Sequence, residues 1–328
     1  MRGYSIKQEP EDFVVKEIPG VRVVENGEYS IFRLKKRNYT TERAVQLIAD
    51  ALKIDRKRIG YAGNKDKVAV TEQSISIRNI KKRRVENLKL RDIELSFIGY
   101  SDEPISLGDL EGNRFEIVAR NIEKPPRRVE RIINYFGEQR FSRYNAEIGK
   151  AIIKKEFRKA VDRILDSIGK DEERVIEHLR RNKNDFVGAL KRMPWKTLNL
   201  YVHAYQSKLW NKVVEELIMR NKDFLACDAR NTRIPLIGFA TEIKEKNIKR
   251  VVDEVLEEEG ITQDDFIIRA IPELSSAGSE RDLFAEVKEL KIGELEEDEL
   301  NRGKKKVRIS FSLGKGSYAT EVVKALFS

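Results

Sequence analysis

The sequence contains few of the residues on which disulfides and most metal sites depend. Its 328 residues include one cysteine and two histidines. The single Cys227 cannot form an intramolecular disulfide, which is typical of a protein from a reducing compartment. His178 and His203 share no short ligand spacing with each other or with Cys227, so the sequence predicts no metal site. Scarce histidine also disfavours reactions that need an imidazole base, and therefore points to carboxylates or lysines as reacting groups.

Long apolar runs and nucleotide-binding glycine motifs are also missing. No apolar run approaches the ~18 residues that cross a bilayer, and residues 1–12 are polar and lack the apolar region of a signal peptide. We therefore expect a soluble, cytoplasmic protein. No segment reads Gly-x-Gly-x-x-Gly, and Gly314-Lys315-Gly316-Ser317 lacks both the upstream glycine and the Lys-Ser pair of a phosphate loop. A glycine turn before a helix is the favoured interpretation, and no cofactor is expected.

The sequence is rich in charge, and the balance is positive. Charged residues make up 37% of the chain, and 65 Lys and Arg outnumber 55 Asp and Glu to give a net charge of +10. Basic residues form short runs at 35–37, 56–58, 81–84 and 304–306. Any one run suits a solvated loop equally well, but several on one face would bind a polyanion by releasing its counterions. Together they favour a nucleic-acid partner.

Hydrophobic periodicity predicts both strands and helices. Strand patterns occur at 12–17, 28–34, 71–77, 114–119 and 307–313. Helices are predicted from an N-cap at Thr41 to Leu52, over 127–136 with Gly137 closing the helix, and over 320–327.

The character of the chain changes near residue 145. Helical periodicity dominates from about 145 to about 259, and strand patterns return after Gly278. We therefore predict an α+β fold in which one domain, residues 1–144 and 276–328, is interrupted by a mainly helical inserted domain, residues 145–275.

The segment Gly63-Asn64-Lys65-Asp66-Lys67 is the first candidate for chemistry. It places one aspartate among lysines on a glycine-flanked turn, where nearby positive charge favours an ionised carboxylate. In an extended stretch Lys65 and Lys67 would point away from Asp66, so its cationic partner is to be sought elsewhere in the chain. A charged surface turn explains this motif better than a catalytic site when the motif is taken alone.

Two aromatic segments are further candidates. In Gly112-Asn113-Arg114-Phe115, the phenylalanine is either a core residue of a strand or a platform for a nucleobase, and the pattern alone favours the core. The segment 134–141, NYFGEQRF, crowds aromatic residues and Arg140 around a glycine. A packed helix end is favoured there over an RNA-contacting loop.

Taken together and in order, these segments resemble the TruD family of tRNA pseudouridine synthases. The resemblance rests on 10–17 (PEDFVVKE), 62–67 (AGNKDK) with Thr71 and Gln73, 112–115 (GNRF), 134–141 (NYFGEQRF), 205–211 (YQSKLWN) and 314–320 (GKGSYAT). It spans nearly the whole chain, and the fourth segment is the most distinctive. The length and the Lys- and Glu-rich composition resemble an archaeal member. Departures are confined to Asn64, at a variable position, and Ser142, where glycine is usual.

The resemblance implies roles for particular residues. Asp66 matches the catalytic aspartate, Phe115 an aromatic that stacks on the target uracil, and Asn113 a polar residue near the aspartate. Lys7, which precedes PEDF, is the candidate cationic partner of Asp66. The further expected substrate-binding residues are Lys65 and Gln73, and the candidate RNA contacts are Arg140, Phe141 and Lys315.

The resemblance also implies the fold and the reaction. We expect a catalytic domain with a mixed, largely antiparallel sheet, the pseudouridine synthase fold, interrupted by an inserted domain. The expected reaction converts a uridine of tRNA, typically at position 13, to pseudouridine without metal or cofactor, and a monomer suffices. Two alternatives stay open, a non-catalytic RNA-binding protein or tRNA chaperone, and another RNA-processing enzyme such as a nuclease.

Overall fold

The computed structural model describes residues 3–138, 144–166, 171–220 and 232–328, so Cys227 lies outside the described residues. The chain forms two compact units, Met1–Ile132 with Ala285–Ser328, and Ile133–Phe284. The range predicted for an inserted domain, 145–275, falls within the second of these ranges, and its limits as a domain stay a prediction. Among the described residues, no helix is both long and apolar enough to cross a membrane.

The strands of the described residues are β1 (Phe13–Pro19), β2 (Tyr29–Arg37), β3 (Ile59–Tyr61), β4 (Val70–Arg78), β5 (Ile93–Ser101), β6 (Leu110–Ile122), β7 (Arg131–Ile133), β8 (Arg233–Leu236), β9 (Ser279–Asp282), β10 (Phe284–Glu286), β11 (Lys288–Glu297) and β12 (Lys305–Gly314). The helices are α1 (Thr41–Leu52), α2 (Lys82–Glu86), α3 (Asn145–Ile153), α4 (Phe157–Leu165), α5 (Asp171–Arg181), α6 (Phe186–Leu190), α7 (Trp195–Arg220), α8 (Lys246–Glu259) and α9 (Ala319–Leu326).

The first unit is built on one sheet in the order β11-β12-β6-β1-β4-β2-β5, with β3 paired to β4. The pair β1–β4 is parallel, and the other neighbours are antiparallel. This confirms the prediction of an α+β fold with a mixed, largely antiparallel sheet.

Two helices cover one face of this sheet. Registered partners on neighbouring strands point to the same side, and so do residues two apart along a strand. Val15 is registered with Thr71 of β4 and with Phe115 of β6. Ile75 lies four residues beyond Thr71 on β4 and therefore points to this same side. Val15 and Phe115 belong to the core cluster that contains α9, and Ile75 belongs to the core cluster that contains α1. Both clusters therefore lie on the same side of the sheet. In the sheet, β1 lies between β6, which contributes to the first cluster, and β4, which contributes to the second.

The second unit is mainly helical. An apolar stripe of α7, Tyr205, Leu209, Val213 and Leu217, is buried, and so are Ile148, Ile152 and Ile153 of α3, which agrees with the helical periodicity predicted here. A small antiparallel sheet of β8 and β9 accompanies these helices.

The helix α1 has the predicted extent but a different cap. Thr40, in an extended conformation, accepts a hydrogen bond from the backbone N–H of Arg43. The prediction that Thr41 caps the helix is therefore wrong. Thr41 is the first helical residue and is buried, with a different task described below.

The predicted helix over 127–136 is also wrong. This stretch contains the strand β7, which pairs with β10. Glu130 O accepts from Val287 N at 2.8 Å, and Asn134 N donates to Leu283 O at 2.8 Å. Pairing with a segment about 150 residues away satisfies the backbone here, which shows why a local helical pattern misleads.

Candidate active site

Asp66 lies in the loop between β3 and β4, with 33% of its side chain exposed. Lys7 Nζ donates to Asp66 Oδ2 at 3.0 Å, and the lysine side chain is 17% exposed. The same ammonium lies 4.0 Å from the ring centroid of Phe13. The structure thus brings together an accessible carboxylate and the cation that the sequence suggested for it, although 59 positions separate them.

A buried charge network holds the segment that precedes β1. Arg120 Nε donates to Asp12 Oδ1 at 2.9 Å, and its Nη1 donates to Asp298 Oδ1 at 3.0 Å. Asp12 Oδ2 also accepts from the backbone N–H of Glu9 at 3.0 Å. Burial acts to raise the pKa of Asp298, but hydrogen bonds from neighbouring N–H groups and from Arg120 outweigh it and lower that pKa to about 2. This network holds the backbone of Glu9, which follows Lys7 by two residues.

Lys65 faces away from the carboxylate of Asp66. Its Nζ pairs with Glu17 Oε2 at 2.6 Å, and only 6% and 1% of the two side chains are exposed. Glu17 Oε1 also accepts from the backbone N–H of Ser74 at 3.0 Å. This buried pair joins the loop to β1 and β4.

Thr41 and Gln73 hold the backbone of the same loop. The Thr41 hydroxyl accepts from Lys65 N at 2.8 Å and donates to Gln73 Oε1 at 2.9 Å. The Gln73 amide then donates from Nε2 to Gly63 O at 3.0 Å. Both side chains are buried. The loop that contains Asp66 is therefore held at the backbone of Gly63 and of Lys65, the two neighbours of Asn64.

Lys36 holds the backbone of Asp66 itself. Its Nζ donates to Asp66 O at 2.9 Å and to Tyr39 O, and the residue is 1% exposed. Burial lowers the pKa of Lys36 to about 8, against the attraction of Asp66, which raises it. The basic run at 35–37 does not predict this role for Lys36. The signal is the alternation on β2, in which Lys36 follows Phe32 and Leu34 and therefore points inward with them.

Phe115 and Asn113 lie on the sheet face that carries Val15 and Glu17, with which they are registered. Phe115 is 6% exposed, and its ring centroid lies 6.1 Å from that of Phe13 and 5.5 Å from that of Phe311.

The same sheet face contains two unsatisfied acceptors. Asn113 Oδ1 and Thr71 Oγ1 are buried, and no described residue hydrogen-bonds to either atom. Buried polar atoms are normally paired, so these atoms are open to a partner that the described residues do not supply.

Lys315 begins the turn after β12, beside the strand that carries Asn113. Gly314 is registered with Gly112, and Lys315 N donates to Glu111 O at 3.2 Å. A Cβ on Gly112 would meet Leu313 O at 2.2 Å, which explains the glycine there. The other two candidate RNA contacts, Arg140 and Phe141, lie outside the described residues.

Two motifs of the resemblance meet in the second unit. Asn211 of α7 accepts from Phe136 N at 2.9 Å and donates to Phe136 O at 3.0 Å. The Phe136 ring packs edge-on against Trp210, with ring centroids 5.6 Å apart. Phe136 of the first motif is therefore held by Trp210 and Asn211 of the motif YQSKLWN.

The cations of the runs at 35–37 and 304–306, apart from Lys36, pair with carboxylates, and so does Arg56. The ion pairs are Lys35–Glu94, Arg37–Glu11, Arg56–Glu42, Lys304–Glu123, Lys305–Glu297 and Lys306–Glu299. Lys36 is buried, as described above. Paired charges contribute little net positive potential, so these runs attract a polyanion less than the sequence suggested.

Comparisons with known proteins agree with the fold and the residue pattern. The sequence profile of the family described as tRNA pseudouridine synthase D (TruD) matches residues 2–181, 170–228 and 227–326. A tRNA pseudouridine synthase D of Aquifex aeolicus is 32% identical, over 98% of this chain and 97% of that protein. A probable tRNA pseudouridine synthase D of Methanosarcina mazei is 31% identical, over 98% of this chain and 92% of that protein.

A solved structure leads to the same family. A TruD protein of Methanosarcina mazei superposes with a TM-score of 0.76 at 29% identity, covering 99% of this chain and 94% of that one. The sequence matches and the structural match both run over nearly the full length of the chain. The chain therefore belongs to the tRNA pseudouridine synthase D (TruD) family.

Proposed function

We propose that this chain is a tRNA pseudouridine synthase that isomerises a uridine of tRNA, at position 13, with Asp66 as the catalytic carboxylate. The observation that carries the proposal is the setting of Asp66, a part-exposed carboxylate 3.0 Å from the Lys7 ammonium on an immobilised loop. Family membership and the names of the relatives support the reaction and the substrate class.

The reaction needs an anionic carboxylate and no redox step. The bond between uracil N1 and ribose C1′ breaks, the base turns, and a new bond forms between C5 and C1′. C5 then loses its proton and N1 gains one, so the product is an isomer of the substrate. Asp66 either attacks C1′ or removes a ribose proton, and both routes require the carboxylate form. Lys7 supplies a positive charge that stabilises this anion when the bound nucleotide excludes water.

The sheet face beside Asp66 supplies groups for the base. Stacking of a base on an aromatic ring contributes ~1 to 3 kcal/mol, and Phe13 and Phe311 restrict the orientation of the Phe115 ring. Asn113 Oδ1, buried and without a described partner, is available to accept an N–H of the detached uracil. The target nucleotide leaves its stack to reach these groups.

The remaining predicted site residues act in support. Lys65 and Gln73 are buried and bonded to Glu17, Thr41 and the loop backbone, so we assign them to holding Asp66 in place. Lys315, at the exposed turn after β12, is positioned to contact the RNA backbone.

The test uses an unmodified tRNA transcript with uridine at position 13, without metal or cofactor. Pseudouridine is mapped by carbodiimide treatment and primer extension. We expect a new stop at position 13 with the wild-type protein and none with Asp66→Asn, while tRNA affinity is unchanged. Asp102→Asn, which removes another exposed carboxylate, is the matched control and should retain activity. Binding without a stop at any position would replace the synthase by the tRNA chaperone.

A further inference from the structure

The second unit contains a cavity that the proposed chemistry does not use. Its volume is about 300 Å³, and its described lining residues are Arg174, Glu177, His178, Arg181, Asn182 and Arg192. We propose that this arginine-lined cavity binds a backbone phosphate of the RNA substrate. The inference rests on the proposed function, because it takes RNA as the substrate, but it concerns a site that the reaction chemistry does not require.

A histidine orients one of the arginines. Arg192 Nε donates to His178 Nδ1 at 3.3 Å, and His178 Nε2 lies 2.8 Å from Asp185 Oδ2. Because Nδ1 accepts, Nε2 carries the proton and donates to Asp185. Asp185 is held in turn by the backbone N–H of Gly188 at 2.8 Å. This chain of hydrogen bonds fixes the Arg192 guanidinium through Nε and leaves its two terminal nitrogens for another partner.

The lining has an excess of positive charge. Three guanidinium groups face one carboxylate, Glu177, which pairs with Arg181 at 2.7 Å. Within the described parts of the chain, the Arg174 side chain has no ion pair or hydrogen bond, and the Arg192 side chain has only its bond to His178. This differs from the run at 304–306 in the first unit, in which each lysine pairs with a glutamate. Guanidinium groups bind phosphate oxygens through two parallel hydrogen bonds, so a phosphate matches the unpaired donors.

An exposed aromatic residue favours RNA over a free anion as the source of that phosphate. Trp195 begins α7 three residues after Arg192, and 53% of its surface is exposed. Large aromatic side chains are rarely left so exposed, and an indole face can stack on an unpaired base. Arginine and an exposed tryptophan on one short segment are the combination that single-stranded or looped RNA recognises.

The test compares two double variants of the full-length protein. Arg174→Gln/Arg192→Gln removes two cations from the cavity lining. Arg180→Gln/Lys183→Gln removes two exposed cations from the same region outside the lining, and is the matched control. The Kd for the tRNA transcript is measured over a series of NaCl concentrations, and kcat at saturating tRNA.

We expect the cavity variant to weaken tRNA binding about tenfold and to reduce the slope of log affinity against log salt by ~1 to 2, with kcat unchanged. The control should change both quantities much less. Arg174→Gln alone, which breaks no contact within the described chain, should weaken binding about threefold. Equal losses in the two double variants would overturn the proposal, because the effect would then be general charge.

Two further measurements distinguish an RNA phosphate from a free anion, and distinguish failure of the cavity proposal from failure of the proposed reaction. If calorimetry shows that inorganic phosphate binding is lost in the cavity variant while tRNA affinity is kept, the site holds a free anion and the RNA proposal is overturned. If the wild type produces no pseudouridine but the cavity variant still loses tRNA affinity, the cavity is supported as an RNA site while the proposed reaction fails.

Discussion

Glu17 and Lys65 form an ion pair of 2.6 Å that is almost completely buried, directly beside the part-exposed pair of Asp66 and Lys7. Successive residues of an extended chain point in opposite directions, so Lys65 and Asp66 reach different partners. The buried Lys65 attaches the loop to the sheet through Glu17, and the carboxylate of Asp66 stays accessible to a substrate. Lys65 therefore contributes to stability, while the adjacent Asp66 is available for the reaction.

Removing one member of the buried pair should destabilise the protein strongly. Glu17→Gln leaves the Lys65 charge buried without its partner, which costs about 3 to 5 kcal/mol in comparable cases. Urea unfolding monitored by circular dichroism gives the free energy of unfolding. The control is Glu94→Gln, which breaks the exposed pair with Lys35 and should cost below about 1 kcal/mol. Equal costs for the two variants would contradict the structural role of Glu17.

Lys7 should matter for turnover more than for folding. Lys7→Met removes the cation beside Asp66, and kcat should fall about 100-fold, a typical loss when one stabilising charge or donor leaves an active site. The melting temperature should change little, since the Lys7 ammonium belongs to a part-exposed pair. Lys7→Arg should restore part of the activity, and Lys67→Met, in the same loop, should be nearly neutral. A Lys7→Met enzyme with normal kcat would refute this assignment.

The burial of Lys36 should be visible in the pH dependence of stability. Its pKa is about 8 in the folded chain and 10.5 when unperturbed. Between these pH values the unfolded chain binds more protons at this position, so stability increases as pH rises from about 8 to 10.5. The gain is on the order of 3 kcal/mol. We expect the unfolding free energy of the wild type, minus that of Lys36→Met, to increase across this interval. If the unfolding free energies of the wild type and of Lys36→Met change with pH in the same way, Lys36 does not titrate in this interval.

Phe115 and Phe311 allow core packing to be separated from base stacking. Both rings are buried and contact each other, so Phe115→Leu and Phe311→Leu should each cost about 1 kcal/mol of unfolding free energy. Only Phe115→Leu should also lower kcat/KM, about 10-fold, through lost stacking on the uracil. Unfolding and single-turnover measurements on the two variants test this. Equal kinetic losses would mean that Phe115 acts only as a core residue.

Local periodicity predicted much of the fold. The strand pattern at 307–313 corresponds to β12, and the helix predicted to end at Leu52 corresponds to α1. The helix predicted over 127–136 failed because strand pairing with residues near 285 satisfies that backbone instead. The cap of α1 moved by one residue because Thr41 is bonded to Gln73 and Lys65. Each error lies where a distant segment competes with a local preference.

The α+β class, the resemblance to the family and the position of Asp66 on a glycine-flanked turn could be predicted from the sequence, because these depend on local order along the chain. Which charges meet depends on the folded arrangement. Lys36 is turned inward onto the Asp66 carbonyl, Lys65 pairs with Glu17, and Lys304, Lys305 and Lys306 pair with glutamates. Ion pairing and desolvation depend on distances between segments far apart in sequence, and those distances exist only once the sheet has formed.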